Sequence, residues 1–199
     1  IGIGRNSFNL EYDGYVKFKV LRQKTGDRSF PFTLTWFSSA AYKTLRDNNP
    51  EITLNSTQRT TYAHQALIAR KFSPSFSLQI MPTMIYRNYV DTYEESHEVY
   101  SFGIAPKLHL SKIISVNLEY YHVFEDQLAE GYENSLAIGF NFETKGHVFQ
   151  LSFGNSRGII EKAFITETTD KWEDGDVHFG FNITRDFKIK GRKYNRSWN

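Results

Sequence analysis

The chain of 199 residues has no cysteine, which excludes disulfide frameworks, thiolate metal sites and cysteine nucleophiles. It also has no apolar run close to the roughly 18 residues that a membrane-spanning helix needs. Neither sign of charge dominates, and a net charge of +2 gives no indication of a nucleic-acid partner. Strands are therefore the means by which such a chain could cross a membrane.

Aromatic residues, by contrast, are abundant, with 17 Phe and 12 Tyr. Their side chains favour strands and membrane interfaces. The mean hydropathy of -0.50 resembles that of a soluble protein. It is also expected of a transmembrane barrel, whose strands alternate apolar and polar side chains. Composition therefore favours a single all-β unit.

Apolar and polar side chains alternate along segments of about ten residues. In the second segment the even positions Val16 and Phe18 are apolar, whereas the odd positions Lys17 and Lys19 are charged. This pattern predicts strands at residues 1–4, 10–21, 30–42, 58–70, 75–87, 98–110, 114–124, 135–143, 146–154 and 177–187.

Turn lengths test the pattern, because an even turn must move the apolar set to the other parity and an odd turn must keep it. The connections 144–145 and 111–113 both meet this condition. Residues 57–71 fit two orientations, with either Tyr62, Ala66 and Ile68 or Ala63, Leu67 and Ala69 facing lipid. We favour the second orientation because it places His64 and Arg70 in the lumen.

Three features distinguish a membrane barrel from a soluble one. Charged residues such as Lys107 and Glu143 lie on the polar face, which a hydrated lumen accepts and an apolar core does not. Aromatic residues cluster at both ends of the apolar faces, as in the girdles of bilayer-spanning barrels. Short connections alternate with long ones, as periplasmic turns alternate with external loops. The sequence therefore predicts an up-and-down antiparallel transmembrane β-barrel.

Five stretches carry a family resemblance: Ile1–Ser7 (IGIGRNS), Lys17–Gln23 (KFKVLRQ), Ala63–Pro82 (AHQALIARKFSPSFSLQIMP), Phe164–Thr168 (FITET) and Asp174–Arg185 (DGDVHFGFNITR). The chain resembles uncharacterised outer-membrane β-barrel proteins of Gram-negative bacteria that are described as a domain of unknown function. The resemblance covers most of the chain. It implies a location and a fold, and it implies no site, since the family has no settled activity.

We expect the barrel domain to cover residues 1–187 and a basic periplasmic tail to follow at 188–199. A spanning strand needs roughly nine to eleven residues, so the four residues at the start are expected to end a longer strand. The barrel would then have ten or more strands, with its N-terminal part missing from this chain. Loop alternation predicts that both termini are periplasmic.

Two groups of residues are candidate sites. Four charged side chains on the polar faces predict a lumen network: Lys17, Lys19, Lys107 and Glu119. In the inferred register Lys107 faces Asn117 and lies diagonal to Glu119. The last long loop is rich in apolar residues, among them Phe164, Ile165 and Trp172. We expect this loop to pack on itself, to enter the barrel mouth or to contact a partner protein.

Catalytic and metal-binding patterns are not evident. The six histidines include no pair at ligand spacing, and we expect no metal and no cofactor. Barrel enzymes that act on lipids use an outward Ser and His oriented by a third polar group. Ser38 is predicted to face outward with no histidine beside it, so we expect the protein not to be an enzyme.

Small barrels of about eight to ten strands usually have filled interiors. The leading hypothesis is therefore a scaffold or binding subunit of an envelope complex in the bacterial outer membrane. The alternative is a narrow passive channel for small solutes. Expected partners are outer-membrane lipid, lipopolysaccharide and envelope proteins, and not nucleic acid.

Overall fold

The computed structural model describes residues 1–7, 10–26, 29–45, 53–185 and 187. The predicted basic tail at 188–199 lies outside this part of the chain. Within it, ten antiparallel strands form one sheet in sequence order. They are β1 (Gly2–Asn6), β2 (Glu11–Leu21), β3 (Thr33–Lys43), β4 (Thr60–Lys71), β5 (Phe76–Arg87), β6 (Glu98–His109), β7 (Ile114–Val123), β8 (Leu136–Glu143), β9 (His147–Gly154) and β10 (His178–Arg185).

The predicted all-β, up-and-down topology is confirmed, and so are the two turns that tested it. Leu110 N donates to the Ile114 carbonyl at 3.0 Å, which closes the three-residue connection. Thr144 N donates to the His147 carbonyl at 2.8 Å. Beyond that turn Phe142 pairs with Phe149, so the apolar set changes parity as the pattern requires.

The connections lie at two ends of the sheet. The connections β3–β4, β5–β6, β7–β8 and β9–β10 lie at one end, which we call the long-loop end. The connections β2–β3, β4–β5, β6–β7 and β8–β9 lie at the other end, which we call the short-turn end. Residues 22–32 are the longest connection there, and pairing of Lys24 with Phe30 extends that hairpin.

The sheet curves so that its inner face encloses a lumen. Gln65 Nε2 on β4 donates to the Tyr121 hydroxyl on β7 at 3.2 Å. Around this contact lies an apolar core that includes Phe37, Ala63, Leu67, Met81, Ile85 and Val99. Among the described residues no pairing joins β1 to β10, so the sheet is open between these two edges.

The predicted orientation of β4 was wrong. Its odd positions face the lumen, because Gln65 pairs with the buried Phe37 and Leu67 belongs to the core. His64 and Arg70 therefore lie on the outer face. The lumen is apolar at this level, so the inner face of β4 needs apolar side chains. Both faces of β4 carry such residues, and the local sequence does not reveal which face meets the core.

Candidate functional site

The connection between β9 and β10 folds back into the lumen at the long-loop end. It contains a helix, α1 (Glu161–Thr166), whose six residues are too few for stability on their own in water. Contacts with the barrel and within the loop stabilise this short helix instead. A Cβ on Gly158 would overlap the Cβ of Ala163, so the loop approaches α1 more closely than a larger residue would allow. The Thr166 hydroxyl donates to the Lys162 carbonyl at 2.7 Å and closes the helix.

Apolar side chains of this loop fill the lumen near the long-loop end. Ile165 is fully buried and belongs to the apolar core of the barrel. Phe164 packs on Tyr121 with ring centroids 5.2 Å apart. The structure thus places two of the three loop residues singled out by sequence, Phe164 and Ile165, inside the barrel mouth.

The third, Trp172, fastens the same loop to the rim. Its Nε1 donates to the Leu136 carbonyl at 2.9 Å. Nearby, Asp170 Oδ2 lies 2.6 Å from His178 Nε2 and 3.0 Å from Arg157 Nε, both of which donate to it. The hydrogen bond from His178, supported by that from Arg157, lowers the pKa of Asp170 below its usual range.

A buried ion pair holds α1 to the second strand. The Lys162 ammonium contacts Glu11, which is fully buried, and lies 2.7 Å from Glu167. Burial opposes the charge on Lys162, but the negative charges of Glu167 and Glu11 outweigh it and raise the pKa of Lys162. Removing either carboxylate would leave a buried ammonium with less compensation, so the pair acts as a latch on the loop.

Two members of the predicted lumen network lie beside α1. Glu161 interacts electrostatically with Lys17, Glu119 and Asp13. Burial raises the pKa of Glu161, the charge of Glu119 adds to the rise, and Lys17 opposes it. Glu119 also interacts electrostatically with Lys17 and lies near the Tyr121 hydroxyl. The structure therefore brings Lys17 and Glu119 together, with Glu161 as a third charged neighbour.

The other two members lie apart from that cluster. Lys107 faces Asn117, as the inferred register requires, but its ion pair is with Glu143 at 3.5 Å and not with Glu119. Lys19 pairs with Thr35 on β3 and has an exposed side chain. These residues line the half of the lumen nearer the short-turn end.

That half of the lumen carries a row of hydrogen-bonded polar side chains. Asn141 Nδ2 donates to Ser115 Oγ at 3.3 Å. Gln150 Nε2 donates to Asn141 Oδ1 at 2.9 Å, and Asn182 Nδ2 donates to Gln150 Oε1 at 2.8 Å. The lumen is thus polar toward the short-turn end and apolar, with α1 inside it, toward the long-loop end.

The prediction that no histidine lies beside outward Ser38 was wrong. Once β4 takes its true orientation, Ser38 Oγ lies 2.9 Å from His64 Nδ1 on the outer face. Trp36 Nε1 donates to the same Ser38 oxygen at 2.9 Å. The error follows from that in β4, because the strand pairing of Ser38 with His64 places both side chains on one face.

Sequence reasoning missed the residues that build the latch and the centre of the core. Glu11 and Lys162 stand 151 positions apart, and Tyr121 meets Gln65 from 56 positions away. The apolar content of the last loop was the one available signal that this loop is not simply solvated. Lys162 itself carries no local signal, because a lone lysine in a loop is normally exposed.

Two further features are absent from the described ranges. These ranges hold no group of three or more His, Cys, Asp or Glu residues that could bind a metal ion. No helix in those ranges is long and apolar enough to span a membrane.

The outer face of the sheet carries large apolar side chains on strand after strand, such as Phe18, Phe102 and Phe181, each at least 40% exposed. An antiparallel sheet that curves around a partly polar lumen and turns such side chains outward defines a membrane β-barrel. The chain belongs to the family described as membrane bound beta barrel domain (DUF5777), which it matches over residues 1–187. No curated protein and no solved structure matches the chain.

Proposed function

We propose that this protein is a non-enzymatic scaffold or binding subunit of an envelope complex in the outer membrane of a Gram-negative bacterium. The observation that carries the proposal is the fully buried Ile165 of α1, which occupies the lumen. A lumen that the chain's own loop occupies at the long-loop end favours a structural role over transport of solutes. The barrel then offers its two ends and its outer face to partners.

The orientation follows from the connections. Short turns of outer-membrane barrels face the periplasm and long loops face outward. The long-loop end, with α1 in its mouth, would then be surrounded by lipopolysaccharide. The short-turn end, which carries Lys71, Lys112 and Lys145, would face the periplasm and the proteins of the envelope.

A non-enzymatic role is favoured by the depth of the Ser38–His64 pair. Ser38 is the sixth of the eleven residues of β3, so it lies close to the middle of the spanning strand. Ester carbonyls of lipids lie at the edges of a hydrocarbon layer about 30 Å thick. The hydroxyl is therefore about half that thickness from the bonds that a lipid hydrolase would cleave.

Single-channel recording in planar bilayers tests the proposal. The unaltered protein should be silent, whereas replacement of residues 158–168 by a Gly-Ser linker of equal length should give steady openings. Ile159→Ser is a matched control, because Ile159 lies in the same loop with its side chain exposed, and it should remain silent. Steady openings by the unaltered protein would contradict the scaffold role and favour the narrow passive channel.

A further inference from the structure

Three side chains on the outer face of β3 and β4 form a hydrogen-bonded chain that we call the Trp36–Ser38–His64 relay. Trp36 Nε1 and His64 Nδ1 each lie 2.9 Å from Ser38 Oγ. The rings of Trp36 and His64 are stacked at a tilt of 27° with centroids 6.3 Å apart. A histidine on the lipid-facing surface of a spanning strand is costly and marks a functional site by default.

The chemistry of the three groups fixes one bond of the relay. The indole N–H of Trp36 can only donate, so Ser38 Oγ accepts from it. When the proton of the His64 ring is on Nε2, the Ser38 hydroxyl donates to Nδ1, which leaves a donor at Nε2 and a lone pair on Ser38 Oγ. When it is on Nδ1, that nitrogen donates to Ser38 Oγ, which leaves the Ser38 hydroxyl proton as donor and Nε2 as acceptor. Each arrangement leaves one donor and one acceptor.

Lipid does not satisfy these functions at this depth. Ser38 stands sixth of eleven residues in β3, and His64 stands fifth of twelve in β4. Both are remote from the water and the carbonyl groups at the two edges of the membrane. A donor left unsatisfied in the hydrocarbon layer is unfavourable, so a membrane-embedded protein surface with matching groups would stabilise it.

Some of the residues beside the relay are small. In the strand register Gly14 pairs with Ala40, and Ala66 pairs with Trp36, whereas Val16 pairs with Ser38 and Met84 with His64. Small residues let two membrane-embedded backbones approach closely enough for polar side chains to bond across the contact. Gly14, Ala40 and Ala66 are the positions at which a second backbone could come close.

We propose that this patch is the contact between two copies of the chain in the membrane. A contact between identical patches requires that each patch carry both a donor and a matching acceptor. The relay meets this requirement, since His64 Nε2 can donate to Ser38 Oγ of the partner subunit while the partner's His64 returns the same bond. The proposal is independent of whether the lumen conducts.

The absence of cysteine makes a clean cross-linking test possible. Ala66→Cys places a thiol beside the relay, and Ile104→Cys is the matched control. Ala66 is the seventh residue of β4 and Ile104 the seventh of β6, counted from the same end, and both lie on the outer face. A short membrane-permeable bis-maleimide should give a covalent dimer with Ala66→Cys in reconstituted vesicles and little with Ile104→Cys.

The relay itself is tested in the Ala66→Cys background. His64→Phe and Ser38→Ala should each raise the dimer dissociation constant in detergent about tenfold, which is the loss expected for two membrane hydrogen bonds. A closed barrel resists unfolding, so the folded protein in detergent should migrate differently on a gel before and after boiling. Absence of this difference would identify a variant that fails to fold. His64→Gln, which keeps a donor, should retain dimerisation.

Three outcomes would overturn the proposal. The first is equal cross-linking at residues 66 and 104, and the second is a monomer at every protein concentration. The third is release of fatty acid from phosphatidylethanolamine vesicles by the unaltered protein but not by Ser38→Ala, which would assign the relay to hydrolysis.

Discussion

Lys162 in α1 forms an ion pair with Glu11, the first residue of β2, across 151 positions of the chain. Glu11 is fully buried, and its Oε2 has no hydrogen-bond partner among the described residues. The loop that carries Lys162 leads into β10, so the pair joins segments near the two open edges of the sheet. The ion pair therefore links the two sides of the sheet inside the lumen, where no backbone pairing of the described residues joins β1 to β10.

The first prediction concerns this latch. Lys162→Met should lower the free energy of unfolding by about 3–5 kcal/mol, because it leaves the Glu11 carboxylate buried without its cation. Guanidinium titration of the protein in lipid vesicles, followed by tryptophan fluorescence, measures the change. The double variant Glu11→Gln with Lys162→Met should recover much of the loss, since it removes both charges.

Lys112→Met is the control for the latch, because Lys112 lies exposed in a short turn. Its effect should stay within about 0.5 kcal/mol. If Lys162→Met and Lys112→Met destabilise equally, the pair with Glu11 does not hold the loop.

The second prediction concerns pH. Burial raises the pKa of Glu161, so the docked loop favours the protonated carboxyl. This contribution to docking is complete below the ordinary glutamate pKa and is lost as the pH rises through the raised value. Hydrogen exchange of residues 159–168 should therefore become faster over that interval. In Glu161→Gln, which stays neutral, this part of the pH dependence should disappear.

Glu130→Gln provides the comparison, because Glu130 is an exposed loop residue. It should leave the pH profile of residues 159–168 unchanged. Identical profiles for the unaltered protein and Glu161→Gln would rule out Glu161 as the group responsible.

The third prediction concerns the close approach of the Tyr121 ring to Gly103. Gly103 pairs with Tyr121, and a Cβ on Gly103 would lie 2.5 Å from the Tyr121 ring, which is 2% exposed and packed on Phe164. Gly103→Ala should therefore destabilise the barrel by about 1–3 kcal/mol through overpacking. Gly146→Ala, at a turn with open space, should change stability by less than about 0.5 kcal/mol. Equal effects of the two changes would mean that the ring can move aside.

The fourth prediction tests the assignment of faces on β10. Phe181 is outward and 56% exposed, near the middle of the strand. Phe181→Arg should cost about 2–4 kcal/mol, because it places a charge in the hydrocarbon layer. Asn182→Arg, on the inner face, should cost below about 1 kcal/mol, the loss of its hydrogen bond to Gln150. Both effects are measured by guanidinium titration in lipid vesicles. If Asn182→Arg costs more than Phe181→Arg, the inner and outer faces of β10 are assigned the wrong way round.

Much of the fold could be predicted because a strand records its two faces in alternate residues. The even apolar set of β2, with Val16 and Phe18, is exposed on the outer face as expected. The pairing of Lys107 with Asn117 was also predicted correctly, since a three-residue turn leaves one register that keeps the parity.

The candidate site was less predictable, because its contacts join residues far apart in the chain. Glu119 and Glu143 lie on the same inner face of the sheet as Lys107. The strand register does not tell which of the two carboxylates Lys107 contacts. In the structure the ion pair of Lys107 is with Glu143 on β8 and not with Glu119 on the adjacent strand.

Alternation and turn length predicted the strands, their order and the parity of most faces, because these features depend on residues close together in the chain. The orientation of β4, the contact between Ser38 and His64 and the entry of α1 into the lumen depend on contacts between distant segments, which only the folded protein shows. Residues 57–71 carry apolar side chains on both faces, and in the structure Ala63 and Leu67 meet a core that includes Ile165. Part of that core comes from a loop about 100 residues away, and the alternation within residues 57–71 does not contain this contact.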